Sequence, residues 1–137
     1  MPNAASAPPE PVRAARAAQF ACASRGSWVA VTGELDIGTV SEVDHALRRA
    51  EAAASLVVFD LRGLDFVDSC GAHLILAADR RIRRAGGRLV IVRGSLELQW
   101  LFALMGLDRE LELVDEPPGR ELPARADASA MLGDPLA

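Results

Sequence analysis

The sequence predicts an α/β fold: a single domain with a mixed, mainly parallel sheet of about five strands, an N-terminal β-hairpin and about three to four helices. Three observations lead there. Short runs rich in β-branched and aromatic residues, such as Trp28 to Val31, Leu56 to Leu61 and Arg88 to Val92, have the character of strands. Segments with apolar residues at helical spacing lie between them. Their alternation calls for right-handed crossovers and therefore for parallel neighbours in the sheet.

Taken in order, Gln19 to Ala23 reads as a short strand, Ser24-Arg25-Gly26-Ser27 as a turn, and Trp28-Val29-Ala30-Val31 as the second arm of a hairpin that Gly33-Glu34-Leu35-Asp36 ends. Thr39 or Ser41 is placed to cap a first helix. In that helix Val40, Val43, Ala46, Leu47 and Ala50 share one face, with Glu42, Asp44, Arg48 and Arg49 off it. Leu56 to Leu61 is an almost continuous apolar run, the pattern of a central strand covered on most of its surface. A second helix opens at Asp68-Ser69, keeps Ala72, Ile75, Leu76, Asp79 and Ile82 in phase, and stops at Gly86-Gly87. Arg88 to Val92 is the next strand. Ser95 caps a third helix containing Leu96, Leu98, Leu101, Phe102 and Met105, and Leu111 to Val114 is the last strand.

A chain of 137 residues suits one domain. Residues 1–15 and 117–137, rich in Ala, Pro and Ser or Gly, read as a disordered N-terminal tail and a flexible C-terminal tail around a domain over 16–116. The net charge is -4 and the arginines are interspersed with acids, so no direct nucleic-acid partner is expected. No signal-peptide pattern occurs, nor any run near the ~18 apolar residues of a membrane span. The expectation is a cytoplasmic protein without membrane insertion. Cys22 and Cys70 read as free thiols, and the scattered His and Cys residues, without a glycine-rich phosphate loop, imply neither metal nor cofactor.

Gly33-Glu34-Leu35-Asp36 after a strand, Asp60-Leu61 ending an apolar strand, Phe66-Val67-Asp68-Ser69 opening a helix, Gly86-Gly87 and Gly106-Leu107 come in an order that resembles the STAS family over about residues 18–115. The resemblance implies a non-enzymatic anti-sigma factor antagonist that works in transcription regulation by partner switching. In that role an anti-sigma factor serine kinase is the partner, Ser69 is the residue it phosphorylates, and a serine phosphatase reverses the change. The matching positions give a partner surface of Asp36, Asp68, Ser69, Cys70, Gly71 and His73. The chain departs from the family beside Ser69: Cys70 replaces a second hydroxyl residue, and Gly71-Ala72-His73 replaces Gly-Leu-Gly. Two other roles stay open, a non-phosphorylated interaction subunit of a lipid-transport or signalling complex and a small-ligand or nucleotide sensor.

The residues themselves allow plainer roles. Asp68 or Ser69 can simply cap the second helix. Cys70 at a helix N-terminus is either redox-sensitive or a small residue in a tight corner. Asp60 invites comparison with phosphoacceptor receivers, but the chain has no lysine, which those receivers require, so Asp60 reads as a strand-end residue bonding nearby backbone. Ser69 with His45 or His73 lacks a Gly-x-Ser-x-Gly elbow and an oxyanion hole, so no hydrolase is expected. The third helix is apolar on more than one side: either all of it is core, or Trp100 or Leu98 is exposed and anchors a partner or a homodimer.

Overall fold

The structure is a computed structural model that describes residues 20–118. Its elements run β1 (Ala21–Arg25), β2 (Trp28–Leu35), α1 (Val40–Ala53), β3 (Leu56–Val67), α2 (Ser69–Arg84), β4 (Arg88–Val92), α3 (Leu96–Leu104), a 3-10 turn (Leu107–Arg109) and β5 (Glu112–Val114). The strands lie in sequence order in one five-stranded sheet. β1 and β2 pair antiparallel, and every later pair is parallel. The fold class expected from the sequence is thus the one found, with β3 at the centre.

Each parallel step needs a crossover, and α1, α2 and α3 supply them. Their buried residues, among them Leu47, Ile75, Leu98 and Phe102, form one apolar cluster with Val57, Phe59, Leu61, Leu89 and Ile91 of the sheet. Successive strand residues point to opposite faces, so Val58, Val90 and Val92 turn away from that cluster, yet they too are buried. Burial on both faces explains why β3 and β4 read as near-continuous apolar runs. Across the helix layer, Arg81 of α1's neighbour α2 pairs with Glu51 of α1, and at the sheet edge Arg88 of β4 pairs with Glu112 of β5.

Several boundaries differ from the sequence reading. The hairpin strand is Ala21–Arg25, not Gln19 to Ala23, because the turn contains only Gly26 and Ser27 and the pairing closes at Arg25 with Trp28. Gln19 and the tails at 1–15 and 119–137 lie outside the described residues, while Pro117 is buried, so order persists just past residue 116. Thr39 occupies the first cap position but makes no cap bond. Its hydroxyl instead accepts from the Asp36 N–H and donates to the Glu34 carbonyl, and Ser41 lies inside the helix.

β3 is the largest departure. It does not stop near Leu61 but continues to Val67, so Asp60 is a mid-strand residue rather than a strand end. Register shifts in the β2–β3 pairing, between Ala30 and Thr32 and between Gly33 and Glu34, absorb extra residues on β3. Gly33 makes the second shift passable: its φ is +89°, and a Cβ there would stand 2.7 Å from the Phe20 Cα. As a result β2 and β3 run past the ends of β4 and β5 as a two-stranded ribbon.

The bonding expected of Asp60 is present. It accepts from the Arg62 backbone N–H at 3.1 Å and pairs with the Arg62 guanidinium at 2.7 Å. Burial alone would raise this carboxyl, but the Arg62 hydrogen bonds outweigh it and hold it below the usual carboxylate range.

Asp79 on α2 is the opposite case. It is 5% exposed, one oxygen meets Arg83 at 3.2 Å, and Oδ1 has no hydrogen-bond partner among the described residues. Burial pushes its carboxyl up despite Arg83. A carboxyl whose folded pKa is raised holds its proton in the folded state over a pH range where the unfolded chain has lost it. Stability therefore declines as pH rises from the unfolded value near ~3.9 through the folded one. We expect Asp79→Asn to raise the Tm at pH 7 and to flatten that decline, measured by thermal unfolding across pH 4 to 8 on both proteins.

Candidate functional site

The residues singled out from the sequence lie just past the ribbon formed by the ends of β2 and β3, in the loop after β2 and at the start of α2. Asp68 joins its two arms. Its backbone N–H donates to the Leu35 carbonyl at 3.1 Å, its Oδ1 accepts from the Gly71 N–H at 2.9 Å, and its Oδ2 accepts from the Ile37 N–H at 3.3 Å. The first of these side-chain bonds is a helix N-cap, so Asp68, not Ser69, caps α2. Ser69 is left as the first helical residue with its side chain exposed.

Asp36 shapes the loop opposite. Its Oδ1 accepts from the Gly38 N–H at 2.9 Å, and its carbonyl accepts from Thr39 and Val40, which turns the chain from β2 into α1. Asp36 and Asp68 are half-buried and hold backbone together, while Ser69 and His73 are exposed. Cys70 is a free, half-buried thiol, and Cys22 is likewise free, with burial pushing its thiol up.

Gly71 corrects the expected partner surface. It is buried, and a Cβ there would lie 2.6 Å from Val67 Cγ2 and 2.8 Å from both Leu35 Cγ and the Leu35 carbonyl oxygen. The glycine lets the first turn of α2 press against β2, and it offers no surface to a partner. Missing from the sequence reading are two exposed apolar side chains near the ends of β2 and β3: Ile37 is 75% exposed and Phe66 is 39% exposed. Phe66 pairs with Glu34 across the ribbon, and Ile37 shares its N–H with Asp68. The signal was in the sequence: an isoleucine between Asp36 and Gly38 in a polar turn has no helical or strand face to join.

The start of α2 can therefore present the Ser69 hydroxyl, next to the Asp68 carboxylate and the loop that carries Ile37, at the positive end of a helix. Among the described residues no hydrogen bond links Ser69 to His73, and no group of three His, Cys, Asp or Glu is placed to hold a metal ion. No helix of the described residues is long and apolar enough to cross a membrane.

The family model of the STAS domain matches residues 22–117, which takes in all three helices and the whole sheet but for Ala21, the first residue of β1. The chain belongs to the STAS family. Among curated proteins this STAS domain is similar to the anti-sigma F factor antagonist of Lysinibacillus sphaericus, with 29% identity over 77 residues, 55% of this chain and 66% of that one. Its fold is similar to that of an anti-sigma factor antagonist from Mycobacterium paratuberculosis, with a TM-score of 0.59 and 22% identity over 85% of this chain and 94% of that one. It is also similar to the anti-sigma factor antagonist SpoIIAA in its unphosphorylated form, with a TM-score of 0.56 and 21% identity over 80% of this chain and 98% of that one. The Bacillus protein in its phosphorylated form gives 0.52 and 24% over 71% and 92%.

Two substitutions test how the STAS rim is built. Gly71→Ala should destabilise by about 1–3 kcal/mol, because the backbone carbonyl of Leu35 cannot yield as a side chain could. Asp68→Ala should cost about 0.5–2 kcal/mol through the lost cap. Chemical denaturation of each variant measures both.

Proposed function

We propose that this STAS domain is an anti-sigma factor antagonist: it binds an anti-sigma factor serine kinase through the surface around Ser69 and is released when that kinase phosphorylates Ser69. The observation that carries the reading is the division of labour at the start of α2, where Asp68 takes the capping bond and Ser69 keeps an exposed hydroxyl. A hydroxyl not needed for capping can be modified without dismantling the helix. The likeness to an anti-sigma F factor antagonist, and the fold shared with a relative known in phosphorylated form, support the same reading.

The chemistry is a transfer of the γ-phosphoryl group of ATP to Ser69 Oγ, with ADP leaving and the hydroxyl proton passing to a base of the kinase. The phosphate adds a charge of about -1.5 to -2. The free N–H groups and dipole at the start of α2 favour that anion, so the domain stays folded. Toward a partner the effect is opposite. Asp68 already stands next to Ser69 and bonds the Ile37 N–H, and a partner shaped to meet a neutral hydroxyl there would face a dianion instead. Each ~1.4 kcal/mol of lost interaction lowers affinity tenfold. Asp36, Asp68, Cys70 and His73 frame the same surface, with Ile37, held to Asp68 through its N–H, as its apolar anchor. The protein is in this reading a cytoplasmic binding switch, not an enzyme, and a serine phosphatase restores it.

Incubation with ATP and each candidate anti-sigma kinase of the same cell, followed by intact-mass measurement and residue mapping, should show one phosphate on Ser69. Ser69→Asp should weaken kinase binding at least tenfold with little change in Tm, and Ser69→Ala should bind without release. Absence of phosphate with every active kinase, together with equal binding by the three proteins, would leave a phosphorylation-independent binding module.

A further inference from the structure

Ser69 and His73 stand one turn apart on the outward face of α2. Ser69, His73 and Ala77 are exposed at four-residue spacing, while Ala72, Ile75, Ala78 and Ile82 fill the buried face. Every Cα–Cβ bond of a helix tilts toward the helix N-terminus, and a long side chain covers the turn before its own Cα. The imidazole at position 73 is therefore set to reach back over position 69, not away from it. Among the described residues neither side chain has a hydrogen-bond or ion-pair partner. The ring is available to a group placed on Ser69.

We propose that His73 is the counter-ion of the phosphorylated form: its imidazolium pairs with the phosphate on Ser69 and holds that phosphate over the first turn of α2. The proposal rests on the reading of Ser69 as the phosphorylated residue and goes beyond it by giving His73 a role in the modified state. Charge around this end of α2 is otherwise negative. Asp68 adjoins Ser69, and the loop after β2, tied to Asp68 through the Ile37 N–H, carries Asp36. α1 packs against α2 and brings Asp44 and Glu51, but both meet Arg81, two turns beyond His73. Arg80, nearly two turns beyond, pairs with Glu110 at 3.5 Å. The chain has no lysine. His73 is thus the one base that α2 sets within a turn of Ser69, and a phosphate repelled by Asp68 on one side meets it on the other.

Histidine ordinarily changes charge between pH 5 and 8, and a phosphoserine takes its second negative charge at about pH 6, inside that range. Each group therefore titrates in the field of its neighbour, and an imidazolium makes the phosphate a stronger acid. Where the imidazolium has lost its proton, a partner faces the whole charge of the phosphate. The repulsion that releases the kinase is accordingly weaker in mild acid and strongest above neutrality.

Protein with phosphoserine incorporated genetically at position 69 tests the pair without any kinase. Its phosphorus NMR resonance, followed from pH 4 to 8, is expected to titrate about half a pH unit lower than in the same protein carrying His73→Gln, a ~threefold difference in acid strength for charges a few ångströms apart in water. His73→Arg, which keeps a cation at the position, should hold the midpoint as low as the original histidine or lower, and ~1 M salt should remove the difference by screening. Circular dichroism checks that each variant is folded. Equal midpoints with and without His73→Gln overturn the pair, as does a His73→Arg midpoint no lower than that of His73→Gln. Failure of every kinase to phosphorylate Ser69 would overturn the reading of that residue, a result told apart from failure of the pair because the phosphoserine here is supplied directly.

Discussion

The fold and its surface chemistry meet at one side chain. Asp68 is bonded through its backbone to Leu35 and through its two carboxylate oxygens to Gly71 and Ile37, and its carbonyl accepts from Ala72 at 2.9 Å. One residue thus ends β3, starts α2 and fixes the loop that follows β2. The close approach of α2 to Leu35 depends on the same joint, because the cap directs the first turn onto the space that Gly71 leaves open. Ser69 is presented outward as a consequence, since the inward-facing capping role is already filled.

That joint also explains why the acids of this rim do not all act alike. Asp36 and Asp68 are held by backbone N–H groups, so their first effect is to shape the ribbon, and only their field reaches a partner. Phe66 has no place in the core because it alternates with Val67, whose side chain takes the face covered by α2, and Ile37 lies in the turn after β2. Apolar exposure there is a cost to the isolated domain that a bound partner would relieve. The same argument applies to α3, whose second apolar face is as exposed as its first is buried, at a place in the molecule separate from Ser69.

Periodicity made most of this fold legible. Of the first stripe Val43, Ala46, Leu47 and Ala50 are buried and Val40 is half-buried, and of the second Ala72, Ile75, Asp79 and Ile82 are buried and Leu76 is half-buried, because a 3.6-residue period leaves little choice of inward face. Arg88 to Val92 has the boundaries expected of it, and Ser95 caps α3 through the Leu98 N–H. The extension of β3 was not legible: Arg62, Gly63 and Asp65 have loop chemistry, and only pairing with β2 across two register shifts keeps them in the strand. Similarly, Thr39 has the sequence of a cap, but a neighbouring carbonyl and N–H claim its hydroxyl.

By itself the sequence determined the α/β class, the order of elements, the family likeness and Ser69 as the residue of interest, because each of these rests on local patterns and motif order. Tertiary structure decided which residue caps α2, that Gly71 packs against Leu35 and Val67, that Leu98 is core while Trp100 is surface, and that Ile37 and Phe66 are exposed. These depend on which side chains arrive at the same place from distant parts of the chain. Spacing along one element carries no record of what the neighbouring element brings to it.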